Sequence, residues 1–142
     1  AVSQIIYYVR QVKKGAKQPV TFCENYVPWL DKLEPLVNEV DFISIHTYPV
    51  WEYKTIDESL EFTKQNYRAV AEKYPNKLVV ITEAGWATSS NDQGIPRAHV
   101  NQIFQKIYYF IIYNFLRLFS SFSVFTAHTT NFIIESLNCI LS

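Results

Sequence analysis

The chain has no methionine, only three glycines and two cysteines in 142 residues, and its formal charge sums to zero. Each scarcity excludes something. Without methionine the sequence holds no start residue, so a processed chain or a piece of a longer one is expected, and no secretory leader is visible. Cys23 and Cys139 lie far apart in apolar surroundings, which supports neither a disulfide framework nor a zinc cluster and fits two packed thiols. No glycine-rich loop follows a strand-like segment, which weakens a nucleotide-binding reading. Zero net charge argues against nucleic acid or an anionic membrane surface as partner. The apolar run from Ile103 to Phe119 is interrupted by Gln105, Lys106, Asn114 and Arg117. A membrane span needs about 20 mostly apolar residues, so no membrane partner is expected.

Aromatic residues, by contrast, are plentiful, with ten Tyr, ten Phe and three Trp. Val2, Ile5, Ile6, Val9 and Val12 recur at helical spacing, and Gly15 follows as a stop. PVTFC (19–23) reads as a strand ending at Glu24, and Leu30, Leu33 and Val37 suggest a short helix limited by Pro35. VDFISIH (40–46) is a nearly continuous apolar strand of the kind covered on both faces. Thr55 and Glu58 form a T-x-x-E box opening a helix that runs to Tyr74. Leu78 to Thr82 is a third strand, and Pro96 suits the first position of a further helix.

This alternation predicts an α/β fold with parallel strands, flanking helices and right-handed crossovers. A doubly wound sheet and a (β/α)8 barrel both satisfy it. Polar residues at successive strand ends (Glu24, His46 and Glu83) suit the mouth of a barrel, where active sites collect. A whole barrel takes about 250 residues, so this chain corresponds to roughly the second half of one. Charge also falls away: from Ile107 to Ser142 only Arg117 and Glu135 are charged. The expected division is residues 1–106 as the barrel-like part and 107–142 as a hydrophobic segment of different origin.

LVVITEAGWATSS (78–90) ends an apolar strand on a carboxylate, followed by Gly85 and Trp86. Glycine permits close backbone approach, and an indole face can stack on the C–H face of a sugar. Carboxylates serve as nucleophile or acid/base in glycoside cleavage. A salt-bridged or capping glutamate beside a packed tryptophan explains the same letters. Tyr48, Trp51 and Tyr53 in the next loop suit either carbohydrate stacking or loop anchoring. Glu24, His46 and Glu83 are competent metal ligands as residue types, but no close ligand spacing supports a metal site. His46 is better read as a hydrogen-bonded residue of the mouth, and neither metal nor cofactor is expected.

Taken together, ENYVPWL, VDFISIHTYPVWE and VVITEAGWATSS resemble the microbial branch of glycoside hydrolase family 17, the β-1,3-glucanases and related glucan transglycosylases. The resemblance spans about Pro19 to Gln102 and rests on the combination D-F-I-x-x-H-x-Y-P, W-E and T-E-A-G-W. It implies a partial (β/α)8 TIM barrel acting on β-1,3-glucan or a related oligosaccharide by a retaining mechanism, outside the cell or in the cell wall. Glu83 matches the family nucleophile, and Glu24, His46, Tyr48, Trp51 and Trp86 fall where the family lines its glucose-binding cleft. The acid/base carboxylate that follows a G-N-E motif in this family is missing from this chain. The residues after about Gln105 depart from the family pattern, as a shifted reading frame or retained intron would produce. A catalytically inert carbohydrate-binding remnant and a metal-dependent barrel enzyme are the alternative readings.

Overall fold

A computed structural model describes residues 1–90 and 95–120, with side chains to residue 115. Helix α1 (Val2–Gly15) leads into strand β1 (Cys23–Asn25), a short helix α2 (Tyr26–Leu30) and a 3-10 turn at Glu34–Leu36. Strand β2 (Ile43–Thr47), a 3-10 turn at Pro49–Glu52 and helix α3 (Ser59–Lys73) follow. Strand β3 (Val79–Ala84), a 3-10 turn at Arg97–His99 and helix α4 (Gln102–Ser120) complete the described chain. The strands form one parallel sheet in the order β1-β2-β3.

The sheet alternates as parallel strands with two different faces must. Ile43 and Ile45 are wholly buried in a core with Val9 of α1, Trp29 of α2, Val70 of α3 and Val79 of β3. Trp29 donates its indole N–H to the Ser44 carbonyl at 2.9 Å, and Tyr74 donates its hydroxyl to the Trp29 carbonyl at 2.7 Å. Burying such aromatics satisfies both the apolar body and the polar tip. At the edge of this layer, Arg10 forks onto Glu39 at 2.9 and 2.6 Å, and Lys13 reaches Asp41 at 2.6 Å. Asp41 also accepts the Val20 backbone N–H at 2.6 Å, so one carboxylate joins α1 to both arms of the chain before β1 and β2.

Several boundaries differ from expectation for local reasons. Val12 sits at the right spacing yet is 54 % exposed, because α1 turns only its Val2, Ile5, Ile6 and Val9 side toward the core. Pairing in β1 begins at Cys23 instead of Pro19: upstream, Thr21 gives its hydroxyl to the Phe42 carbonyl instead of extending the ladder. Leu30, Leu33 and Val37 do not share one helix, since the chain leaves α2 after Leu30 and rejoins a 3-10 turn around Pro35. Glu58 does reach back to the Thr55 N–H and hydroxyl, both at 2.8 Å, but the helix starts at Ser59. Pro96 precedes the 3-10 turn, and Asn101 caps α4 by accepting the Phe104 N–H at 2.7 Å.

Helix α4 is continuous through positions 106 and 107. Beyond that point Tyr108 and Ile112 are buried with Val50, Trp86 and Val100 in a second apolar cluster. Ile107, Phe110 and Tyr113 of the same stretch are exposed, so the loss of charge reaches the outer face of the helix as well. The remainder of the 107–142 segment, and Cys139 with it, lies outside the described residues.

Candidate active site

The three parallel strands end at one rim, and the residues there are set by the register. Cys23 pairs with Ser44 and Asn25 with His46, so these four share one side of the sheet, whereas Glu24 pairs with Ile45. Glu24 accepts the backbone N–H of Asn25 at 2.7 Å, and Asn25 in turn caps α2 by accepting the Val27 N–H at 3.0 Å. The strand-end carboxylate on β1 is thus spent on local turn geometry.

Between β2 and β3 the register slips by one residue. Ile45 pairs with Ile81, but His46 pairs with Glu83, leaving Thr82 as an extra residue on β3. Glu83 Oε2 lies 3.5 Å from His46 Nδ1, an ion pair when the imidazole carries both protons. The histidine side chain is 21 % exposed and the glutamate 53 %, so the carboxylate can be reached from solvent. Thr82 Oγ1 meets Ser44 Oγ on this same side, and Ser44 Oγ contacts Cys23 Sγ at 3.2 Å.

Immediately after β2, Tyr48 stacks on Trp51 with ring centroids 4.1 Å apart and planes 22° apart. The 3-10 turn that carries Trp51 is closed by Tyr53, whose backbone is left-handed at φ 57°. Trp51 is 55 % exposed and presents its indole to solvent. Trp86 is different. It is 3 % exposed, tilts against Tyr108 at 5.6 Å and donates its N–H to the His99 carbonyl at 2.9 Å. That burial leaves no indole face for a sugar, so Trp86 fixes the chain just past Glu83.

The structure thus gathers Glu83, His46, Tyr48 and Trp51 on or beside one rim; Glu24 is partly exposed and bonded within its own turn, and Trp86 is buried. Sequence reasoning missed two groups here. Ser44 and Thr82 are that pair, and the available signal was two successive polar residues, Thr82 and Glu83, where a strand should alternate. Among the described residues no three His, Cys, Asp or Glu side chains gather as a metal site, so Glu24, His46 and Glu83 do not form a ligand trio. Among the same residues no helix is long and apolar enough to cross a membrane.

Comparison with known proteins adds to this geometry. The family pattern for the BtgE/BtgC glycoside hydrolase domain matches residues 1–131, continuing past Lys106 into the segment expected to depart from it. Comparison with curated protein sequences gives no significant match. Among solved structures, an active-site mutant of Rhizomucor miehei β-1,3-glucanosyltransferase in complex with laminaritriose superposes with a TM-score of 0.66 at 23 % identity. That alignment covers 79 % of this chain and 41 % of the other. The glycoside hydrolase family 17 β-1,3-glucanosyltransferase of the same organism gives 0.61 at 24 % identity, covering 76 % and 40 %. An endo-laminarinase from Formosa Hel1_33_131 gives 0.63 at 23 %, covering 80 % and 40 %. The chain therefore spans about two fifths of the length of these structures. Their likeness fixes the fold as part of a (β/α)8 barrel and removes the doubly wound alternative.

Proposed function

Because the chain belongs to the BtgE/BtgC glycoside hydrolase domain family, we propose that it carries the nucleophile half of a retaining site for β-1,3-glucan, with Glu83 as the nucleophile. The observation that carries this reading is the placement of Glu83 at the solvent-reachable end of a parallel strand, beside His46. Barrel enzymes present their reacting groups at that end of their strands.

In the proposed step a Glu83 carboxylate oxygen attacks the anomeric carbon and forms a glycosyl ester. The bond to the leaving oxygen breaks, its electron pair stays on that oxygen, and a carboxylic acid supplies the proton. Water or another sugar hydroxyl then displaces Glu83 from the same carbon, its proton passing to the carboxylate that the acid became in the first step. Retaining enzymes hold the two carboxyl groups about 5–5.5 Å apart. Glu24, occupied with the Asn25 N–H, is not assigned the acid role, and we assign that role to no other residue of this chain. Without a proton donor an alkoxide must depart unaided, which costs about 10²–10⁴ in rate.

An activated 2-deoxy-2-fluoro-laminaribioside, whose leaving group needs no proton, tests the nucleophile directly. The expected result is a glycosyl adduct on the peptide containing Glu83, absent from Glu83→Gln. An adduct on another residue, or equal labelling of both proteins, rejects the assignment.

A second reading, binding without turnover, is favoured by the exposed Trp51 stacked on Tyr48. Laminaritriose that binds but yields neither product nor adduct selects it.

A further inference from the structure

The extra residue on β3 has a chemical partner, and that partner lies beneath the carboxylate just described. In an uninterrupted ladder, Thr82 would face His46, and Glu83 would fall beside Thr47. Thr47 is wholly buried on the helix side of the sheet, where its hydroxyl accepts the Asn66 amide at 3.0 Å. A carboxylate placed there would lose its water without gaining a cationic partner. The slip avoids this. It turns two successive side chains, Thr82 and Glu83, to the side shared by Ser44 and His46. One-residue bulges do this, bending the strand locally and re-aiming the residue that follows, and they recur beside active sites.

What holds a bulge is whatever satisfies its unpaired residue. Here it is a chain of three polar side chains across all three strands: Cys23 on β1, Ser44 on β2 and Thr82 on β3. Ser44 is completely buried, and its carbonyl is fixed by the Trp29 indole, so the central link has little freedom. We infer that Ser44 and Thr82 are positioning residues that pin the β3 bulge and thereby set the aim of Glu83 toward the rim. This rests on Glu83 as nucleophile for its consequence in rate, but the pinning itself is a statement about geometry. Neither residue touches the reacting atoms in the proposed step.

The test uses the full chain in four forms: wild type, Thr82→Val, Thr82→Ser and Ser44→Ala. Two readouts are taken. The first is labelling by the activated fluoroglycoside, resolved into inactivator affinity and the first-order rate at saturation. The second is hydrogen exchange at the Gly85 amide, which donates to the Thr47 carbonyl just beyond the bulge. Thr82→Val keeps the shape of the side chain and loses the hydroxyl. It is expected to lower the saturated labelling rate at least tenfold, with affinity within twofold, and to speed exchange at Gly85 at least tenfold. Ser44→Ala is expected to do the same, and Thr82→Ser to restore wild-type values. Wild-type labelling and exchange in Thr82→Val overturn the inference. If the wild type itself is not labelled, the nucleophile assignment fails, and the exchange comparison alone decides the pinning: accelerated exchange upholds it and unchanged exchange rejects it.

Discussion

The ring of Tyr48 lies directly against the backbone of Gly85: a methyl group on that glycine would sit 2.9 Å from Tyr48 Cε1 and 3.1 Å from Cδ1. The glycine of T-E-A-G-W is therefore a space left for an aromatic ring. Since Tyr48 also carries Trp51 on its other neighbourly contact, displacing one displaces both. Gly85→Ala is expected to cost about 1–3 kcal/mol, the range for overfilling a packed site, and to weaken laminaritriose binding. Urea unfolding and titration calorimetry measure the two effects; an alanine variant unchanged in both would show that Tyr48 moves freely.

Trp51 offers a cleaner separation of binding from stability. Its indole is more than half exposed, so its loss leaves little void, and Trp51→Ala is expected to cost only the stack on Tyr48, about 0.5–1.5 kcal/mol. If the ring stacks on sugar, affinity for laminaritriose falls about three- to tenfold, matching the about 0.5–1.5 kcal/mol typical of aromatic pairs. Intrinsic fluorescence titration of the wild type and calorimetry of the variant check both numbers.

Alkaline pH probes the second apolar cluster. Burial pushes the Tyr108 hydroxyl up to about 12 from the ordinary value near 10, while its hydroxyl contact with Thr63 works weakly the other way. The folded chain holds this proton more tightly than the unfolded chain does. The stabilising contribution is present below about pH 10 and is lost as pH rises toward about 12, up to about 2–3 kcal/mol. Tyr108→Phe is expected to flatten that limb of the stability curve while costing about 1 kcal/mol at neutral pH for the lost hydroxyl contact. Denaturant midpoints at both ends of the window give the comparison.

Acid pH probes the opposite side of the molecule. Hydrogen bonds from Lys13 and from the Val20 N–H hold the Asp41 carboxyl below the usual range, and Arg10 does the same for Glu39. With the folded values depressed, the stabilisation exists above the ordinary carboxylate range and disappears as pH falls through the depressed values. Melting temperature is expected to fall from about pH 5 downward. Asp41→Asn lowers it at neutral pH and reduces its further fall in acid. A melt series that drops equally in both proteins would place the acid sensitivity elsewhere.

Much of the fold is legible in the order of its segments. VDFISIH is apolar enough to be a covered strand, LVVIT reads the same way although only Val79 of it is fully buried, and the helices between them force parallel pairing. The boundaries are not legible, because they are decided by partners distant in sequence: Phe42 takes the Thr21 hydroxyl and Asn101 takes over the cap expected at Pro96. At the rim, the strand end marks Glu83 and His46 as residue types, but their pairing depends on a register slip. The successive polar residues Thr82 and Glu83 hint at a break in alternation, but they do not say which partner strand the slip is against. Trp86 shows the same limit from the other side. The letters E-A-G-W suggest a sugar platform, whereas the indole is claimed by α4, whose Tyr108 lies more than twenty positions further on.

Among the described residues the two apolar clusters share no residue. The first holds the root of β3 through Val79, and the second, with fewer buried side chains among the described residues, holds the chain beyond its tip through Trp86. Glu83 therefore stands on a seam. Regions with fewer buried apolar contacts open at lower free energy, so the Trp86 segment is expected to open before the sheet does. Such an event frees the backbone beyond Glu83 without unfolding the strand that carries it. The segment that follows the carboxylate is thus expected to be less durable than the strand that carries it.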